Sequence, residues 1–517
     1  MRSPAELLAA RDDRRRAAIA ARLRSVLAAL DVPVPSGISP DRLPILLASQ
    51  LRADRPDVLW LVLATITGTL PLPGEVAAAA RSCDFDGAPA CLARIIRSAR
   101  PDASRLRGDW ASVQIVVGAV LVDLHHTSQT DLATGIQRVA RRSAQRWQAE
   151  HDITLVGWSR FYTHLRPLSP AQVQVALHGG TPGPIDADGP QPVIVPWRST
   201  YLLPELMTER ERALRLQALI SHSGSRTGAI GFDCVPITSA ETIGEGMGAA
   251  FSANLTAIAR MDRVVTISDA AATEYRGWKA MLTGAGLAGP SVTAVDLAVE
   301  ASPASPTAVA DARREFGIGT LPLVLVVGSH EPRKNHLAIL HAAELLWREG
   351  HRFNLSFVGG NAWKGERFLT RLAQLQAVGR PVQSISALSE EMLWAAYEIA
   401  SFTVFPSLNE GFGLPVAESL ATGTPVITAG YGSMRQIAAS GGALLIDPRS
   451  DAALTDAMRT LLTDPRVHAR LAAEAQMVTG KSWDKYAFEV WQHFMESEEP
   501  SELASAAAPA ALENGNR

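Results

Sequence analysis

The sequence predicts an α/β protein in which two Rossmann-like units face each other across a cleft, preceded by a helical region. Three observations carry this. The first hundred or so residues read as helical. From Val113 onward β-branched runs alternate with helical patterns. That alternation pauses at a Pro- and Ala-rich stretch near residue 305 and then starts again. Strands alternating with helices give an open, mostly parallel sheet that takes its ligands at the carboxyl ends of its strands. At about 150 residues per domain, 517 residues allow roughly three.

Residues 1–110 form the helical accessory region. Ala, Leu and Arg dominate residues 5–30, with apolar residues every three or four positions, and VPVPSGISPDR and LPLPGE break the helices apart. No cluster of His, Asp and Gly marks chemistry there. The stretch 59–70 reads as a buried helix. The longest apolar run, residues 58–70, falls short of the ~20 residues that span a bilayer. Charges interrupt every apolar stretch at the start of the chain, which argues against a signal peptide.

Residues 111–305 form the first α/β unit. VQIVVGAVLVDL reads as one buried strand, followed by the loop HHTSQTDLATG and the helical IQRVARRSAQRWQAE. The runs ITLVGW, PVIVPW, AIGFDCVPI, RVVTIS and SVTAVDLAV are further strands, with helices at 203–219 and 248–259. ASPASPTAVADARREFGIGTLP reads as a linker. The second unit, residues 306–480, contributes LVLVVG, FNLSFVG, SFTVFPS, PVITAG and GALLID, each followed by a helical pattern. Residues 481–498 hold a last amphipathic helix, and the tail 499–517 lacks periodicity and reads as disordered.

Composition excludes some classes. A formal charge of -3 leaves no broad basic field, so nucleic acid is not the expected partner. Three cysteines cannot form a disulfide framework in a chain this long, which fits a reducing, cytoplasmic setting.

Two passages could carry chemistry. In PSLNEGFGLPVAESLATGTPVI a strand ends at Pro406 and a helix starts near Pro415. Gly411 and Gly413 let backbone amides approach a ligand. Together with the helix N-terminus they suit an anion such as a pyrophosphate. Glu410 and Glu418 could accept hydrogen bonds from sugar or ribose hydroxyls, although Glu418 could also simply complement the helix dipole. In GSHEPRKNH, Arg333 and Lys334 leave the carboxyl end of the second unit's first strand. From there they could neutralise a diphosphate leaving group without a metal.

These residues resemble the retaining glycosyltransferases of family 4, which have the GT-B fold. The resemblance rests on GSHEPRKNH, FVGGNAW, LWAAYEIASFTVFPSLNEGFGLPVAESLATGTPVI and GALLIDP, and it is close over residues 321–462. It implies that Glu410 faces the donor sugar, that Glu418 holds the nucleotide ribose, and that Arg333 and Lys334 contact the diphosphate. Gly328, the loop from Gly359 to Trp363, and Phe412 and Leu414 between the glutamates would border the donor. In the first unit DLATGIQRV resembles the acceptor domain's glycine loop, which places Gly135 and Ile136 at the cleft. GFDCVPI matches a stretch where many members have a His-Asp or Tyr-Asp pair. Here it is Phe232-Asp233, and Asp233 is the candidate for a catalytic or acceptor-orienting carboxylate. Where many relatives have a Glu, this chain has Gln436, at a position read as peripheral.

The implied reaction is transfer of a sugar from a nucleotide diphosphate to a hydroxyl of a glycan or lipid-linked acceptor, with anomeric retention. Surface polysaccharide synthesis is the implied setting and mannose one candidate sugar. Neither cofactor nor metal is expected. Membrane contact would be peripheral, at the inner face of the plasma membrane. Rival readings are a glycosidase, a sugar-nucleotide epimerase, and a degenerate carbohydrate-binding or scaffold subunit. His125-His126 read as polar surface, GEGMG at 244–248 as an incomplete dinucleotide fingerprint, and no GxxxxGK[ST] occurs.

Overall fold

The computed structural model describes residues 4–100, 110–132, 134–185, 191–317, 319–360, 363–386 and 388–496, with residues 4–11 described in backbone only. The tail expected at 499–517 lies outside the described residues. Five helices open the chain: α1 (Pro4–Ala29), α2 (Leu43–Ala48), α3 (Pro56–Thr67), α4 (Pro73–Asp86) and α5 (Ala88–Ser98). α3 is apolar on almost every side and is buried from Val58 to Ile66 apart from Leu63, as expected for 59–70. It starts at a proline and ends at Gly68 in the left-handed conformation (φ 72°). Arg22 of α1 donates to Ile66 O (2.8 Å) and to Ala111 O (2.7 Å), tying two helices to the entry of the first sheet. The helical layer shares one core with that sheet: Leu23, Trp60, Trp158, Trp197 and Tyr201 belong to a single buried cluster.

The first unit contains β1 (Val113–Val117), β2 (Val120–Asp123), α6 (Gly135–Glu150), β3 (Ile153–Trp158), β4 (Leu165–Pro167), α7 (Pro170–His178), β5 (Val193–Trp197), β6 (Thr200–Leu203), α8 (Arg210–His222), β7 (Arg226–Gly231), α9 (Val235–Thr238), α10 (Met247–Ile258), β8 (Arg263–Thr266), α11 (Asp269–Gly284) and β9 (Ser291–Ala294). Its nine strands run in the order β1-β5-β4-β3-β2-β6-β7-β8-β9, parallel except where β4 meets its neighbours. VQIVVGAVLVDL is therefore two strands and not one. β1 pairs with β5 at the sheet edge, while β2 lies between β3 and β6. The break falls at Gly118 (φ 70°), and the β5–β6 run breaks in the same way at Arg198 (φ 50°). Hydrophobic pattern alone does not register such a kink. α8 starts at residue 210, later than expected, because the preceding segment carries Glu205 into the interior.

The expected linker is largely a helix, α12 (Pro306–Glu315). Ser305 caps it by accepting from Ala308 N, and Pro306 takes its first position, so the Ser-Pro pair marks a helix start. The second unit follows with β10 (Leu323–Val327), α13 (His336–Arg348), β11 (Asn354–Val358), α14 (Glu366–Ala377), β12 (Val382–Ile385), α15 (Glu390–Ile399), β13 (Phe402–Phe405), α16 (Leu414–Ala421), β14 (Val426–Ala429), α17 (Gly432–Ile437), β15 (Ala443–Ile446), α18 (Asp451–Thr463) and α19 (Pro465–Gln476). All six strands are parallel in the order β12-β11-β10-β13-β14-β15. This is the doubly wound order whose switch point, here between β10 and β13, opens a ligand crevice. β12 is an edge strand with two polar residues, Gln383 and Ser384, at its centre, so it forms no apolar run. The last helix, α20 (Trp483–Met495), returns to the first unit. Trp147 Nε1 donates to Ala487 O (3.0 Å), and Arg146 meets Asp484 at 2.7 Å.

A buried ionic network braces the β2–α6 loop. Arg212, fully enclosed on α8, lies 3.0 Å from both Asp123 and Glu205. Asp123 also accepts from Trp158 Nε1 (2.7 Å) and from the Tyr201 hydroxyl. Glu205 accepts from His126 N (2.7 Å) and Thr127 N (2.8 Å). His125 is not polar surface: it is buried, accepts from Trp158 N (3.0 Å), and burial pushes its pKa down to about 3, which keeps it neutral. Arg212→Leu strands two buried carboxylates. It is expected to cost about 3–5 kcal/mol in urea unfolding, whereas loss of one exposed pair such as Arg52–Asp54 should leave the unfolding curve essentially unchanged.

Candidate functional site

The site forms at the switch point of the second sheet. After β10 the chain passes Gly328, whose φ of 145° suits glycine, and makes a short 3₁₀ turn at Pro332–Lys334. After β13 it runs through Ser407 to Gly413. The two loops meet through charge. Glu410 Oε1 accepts from Arg333 Nη1 (2.6 Å) and Lys334 Nζ (2.6 Å), and Ser407 Oγ donates to the same oxygen at 2.7 Å. Arg333 also binds Glu331 (2.8 Å) and Asn409 O (3.1 Å). Burial alone would raise the Glu410 carboxyl; the two cations outweigh it and hold its pKa at about 2.

Asp233, on the loop after β7, faces this cluster from the first unit. A Cβ on Gly411 would lie 2.7 Å from Asp233 Oδ2, so Gly411 allows the two units to approach. Burial first, then the neighbouring Glu410 and Glu274 charges, push the Asp233 pKa up to about 6 against the pull of Arg333. A cavity of about 270 Å³ opens beside these groups, between Thr273 and Glu274 of α11 and Asn409, Glu410, Tyr431 and Met434.

The other expected residues form two further groups. Glu418, on α16, is bound on one oxygen by Arg138 of α6 (2.5 Å) and on the other by the Tyr397 hydroxyl (2.8 Å). Nearby, a Cβ on Gly135 would sit 3.3 Å from Leu414, and Ile136 and Phe412 join the core shared by both units. Gly413 (φ 101°) is the N-cap of α16. Trp363 reaches across to the first unit: its Nε1 donates to Thr242 O (3.2 Å) and its ring covers Gly244. Lys364 donates to Glu241 O (2.9 Å). GEGMG thus receives this loop. Gly359 packs on backbone, since a Cβ there would lie 2.1 Å from Gly328 O.

Several participants went unrecognised in the sequence. Glu331 lies inside GSHEPRKNH and was passed over beside the basic pair. Arg138 sits in a run of arginines that reads as a solvated helix face. Ser268 donates to Gly411 O (2.5 Å), and Asn409 donates to Thr238 (3.1 Å) and Ser239 (3.2 Å), which closes the seam between the units. Gln436 also bridges that seam, donating to Asp296 (3.1 Å) and Asp269 (3.4 Å), so the position ties the two units together. Among the described residues no three His, Cys, Asp or Glu side chains group to hold a metal ion.

Comparison with known proteins places this geometry. Residues 309–478, about a third of the chain, match the family model "Glycosyl transferases group 1", in line with the resemblance. The serotype-specific mannosyltransferase WbdA of Escherichia coli is 27% identical over 335 residues, covering 62% of this chain and 38% of the relative. The D-inositol 3-phosphate glycosyltransferase of Corynebacterium efficiens is 33% identical over 180 residues, covering 34% of this chain and 42% of the relative. The chain therefore spans about two fifths of the length of these curated relatives. Anabaena Alr3699/HepE, solved with UDP and glucose, superposes with a TM-score of 0.53 at 13% identity over 73% of this chain and 99% of that one. Sucrose-phosphate synthase from Thermosynechococcus elongatus gives 0.51 at 17% identity over 73% and 98%. At these identities the structures speak for the fold, which is GT-B.

Two consequences can be measured. Asp233 has a folded pKa above its ordinary value of 3.8, so its favourable contribution is complete below that value and is lost as pH rises through about 6. Asp233→Asn is expected to raise unfolding stability at pH 7.5 by on the order of 1–3 kcal/mol and to leave it unchanged at pH 3.5, as read by denaturant titration. Gln436→Glu places a third carboxylate beside Asp296 and Asp269. It is expected to loosen the seam, lowering α17 amide protection factors relative to wild type at pH 8 but not at pH 4.

Proposed function

We propose that this chain, with its group 1 glycosyltransferase domain, moves a hexose from a nucleotide-diphosphate donor to a hydroxyl of a glycan or lipid-linked acceptor, retaining the anomeric configuration. The observation that carries this reading is the convergence of Arg333, Lys334 and Glu410 at the switch point between β10 and β13. A departing nucleoside diphosphate needs positive charge that is fixed before the bond breaks. Arg333 and Lys334 supply it from a short turn held by Glu331 and Asn409, and no metal enters the step.

In this reaction the bond from the sugar's anomeric carbon to the diphosphate oxygen breaks, and the bond to the acceptor oxygen forms on the same face. The acceptor proton passes to the departing diphosphate oxygen. Glu410 faces the sugar, and the cavity bounded by Thr273, Glu274, Asn409 and Tyr431 gives the sugar or acceptor polar walls. Asp233 orients the acceptor hydroxyl from the opposite unit. Closure of the units around these groups keeps out water that would hydrolyse the donor.

The similarity to a mannosyltransferase supports mannose as the sugar and surface polysaccharide synthesis as the setting. No helix among the described residues is long and apolar enough to cross a membrane. In the proposed setting a lipid-linked acceptor is met peripherally, at the inner face of the plasma membrane. The test is binding and turnover of GDP-mannose, UDP-glucose and dTDP-rhamnose by the purified chain, with the product anomer read by NMR. One donor is expected to bind and to be slowly hydrolysed even without acceptor. Arg333→Ala and Lys334→Ala should each lower kcat by about 100-fold or more. Full activity in either variant removes the diphosphate assignment, and absence of binding at millimolar concentration removes the reading.

A further inference from the structure

Glu418 is the carboxylate that the proposed function assigns to the donor ribose, yet both its oxygens are already engaged. The Tyr397 hydroxyl holds Oε2 from the interior, at 2.8 Å and fully buried. Arg138 holds Oε1 from the opposite unit, at 2.5 Å. The two ends of this ion pair differ in access. The Glu418 side chain is 5% exposed and the Arg138 side chain 29%, so the guanidinium is the more accessible member of the pair. A carboxylate has about four acceptor sites, and a ribose diol needs two of them on one open side. Tyr397 and Arg138 take one site on each oxygen, and Arg138, the more exposed partner, is the one that a diol approaching from solvent meets.

We propose that Arg138 is a latch on the ribose seat: without nucleotide it occupies Glu418, and a donor binds only by displacing it. This rests on the reading that Glu418 receives the ribose. The fold makes the latch a link between the units. Arg138 lies one turn into α6, whose first residue, Gly135, is held against Leu414 at the start of α16. One turn further on, Arg142 approaches Glu390 of α15 at 3.7 Å. Displacing the guanidinium therefore removes one of the contacts by which α6 meets the second unit, so ribose binding is coupled to this seam. The residues assigned to the diphosphate are paired in the same way, since Glu410 and Glu331 together balance Arg333 and Lys334. The latched form is thus satisfied without ligand, and the apparent affinity for nucleotide is lowered by the fraction of chains that remain latched.

The latch predicts that truncating a side chain in the site tightens binding, an effect that a merely structural role of Arg138 would not produce. Titration calorimetry with UDP, GDP, ADP and dTDP on the full chain is expected to show Arg138→Gln binding its nucleotide about three- to tenfold more tightly than wild type. Arg138→Lys, which keeps the charge but loses the planar fork, should fall between the two, and it is the variant to read if Arg138→Gln does not fold. Glu418→Gln should bind more weakly, and adding Arg138→Gln to it should restore nothing. If wild type binds and neither Arg138 variant binds more tightly, the latch is wrong while the transferase reading stands. If wild type does not bind but Arg138→Gln does, the latch is confirmed. If no form binds any of the four at millimolar concentration, the latch falls together with the assignment of Glu418 to ribose.

Discussion

Glu410 receives Arg333, Lys334 and Ser407 on a single carboxylate oxygen, and the surrounding loops are organised around that meeting. Without it, two cations on adjacent residues would lie largely buried and would repel each other. With it, the loop after β10 and the loop after β13 become one rigid piece. Further bonds fix the second loop: Arg333 donates to Asn409 O, Tyr431 to Leu408 O (2.9 Å) and Ser433 to Glu410 O (2.9 Å). The start of α16 is then aimed at the first unit, where Gly411 meets Ser268 and Asp233. The switch-point crevice, the helix N-terminus and the seam between the units are therefore all positioned through one ion cluster.

The same constraint is met elsewhere by different residues. Arg212 lies between Asp123 and Glu205 beneath the β2–α6 loop, which is the switch point of the first sheet. Each unit thus places a charged cluster where its strand order reverses, and in each the carboxylates also fasten loop structure. Glu205 binds two amides of the loop, and Asp123 binds His125 N (3.0 Å). Buried pairs of this kind add little net stability over a well-packed apolar core, because desolvation offsets most of the attraction. They do make each loop's position conditional on a specific partner, and a site assembled from loops requires that.

The limits of the sequence reading fall along the same line. The alternation of strands and helices, the buried α3 and the returning α20 were legible, because hydrophobic periodicity reports which faces are covered. The kink at Gly118, the polar edge strand β12 and the helix inside the Pro-rich linker were not, since each departs from periodicity in backbone or composition alone. In the site, Arg333, Lys334, Glu410 and Glu418 could be read because their motifs are local. Their partners could not: Arg138 is 280 residues from Glu418, and nothing in IQRVARRSAQRWQAE separates it from arginines that face solvent. Gly411 and Gly359 were read as bordering a ligand, and at both positions protein atoms approach closely.

That last difference bears on how such a cleft can work. Arg333 and Lys334, which the transferase reading assigns to a diphosphate, are paired with Glu410, and Glu418, which it assigns to a ribose, is paired with Arg138. On the transferase reading, ligand entry is an exchange in which each new ion pair or hydrogen bond replaces one already present. Such an exchange carries a small net free energy, because neither side leaves a buried charge bare. A donor is then held by the difference between two similar sets of bonds, and the product diphosphate by the same small difference. Release after transfer is correspondingly easy, since Glu410 and Arg138 can reclaim their partners as the nucleotide leaves. The self-pairing that weakens donor binding also favours the return to the nucleotide-free form in each cycle.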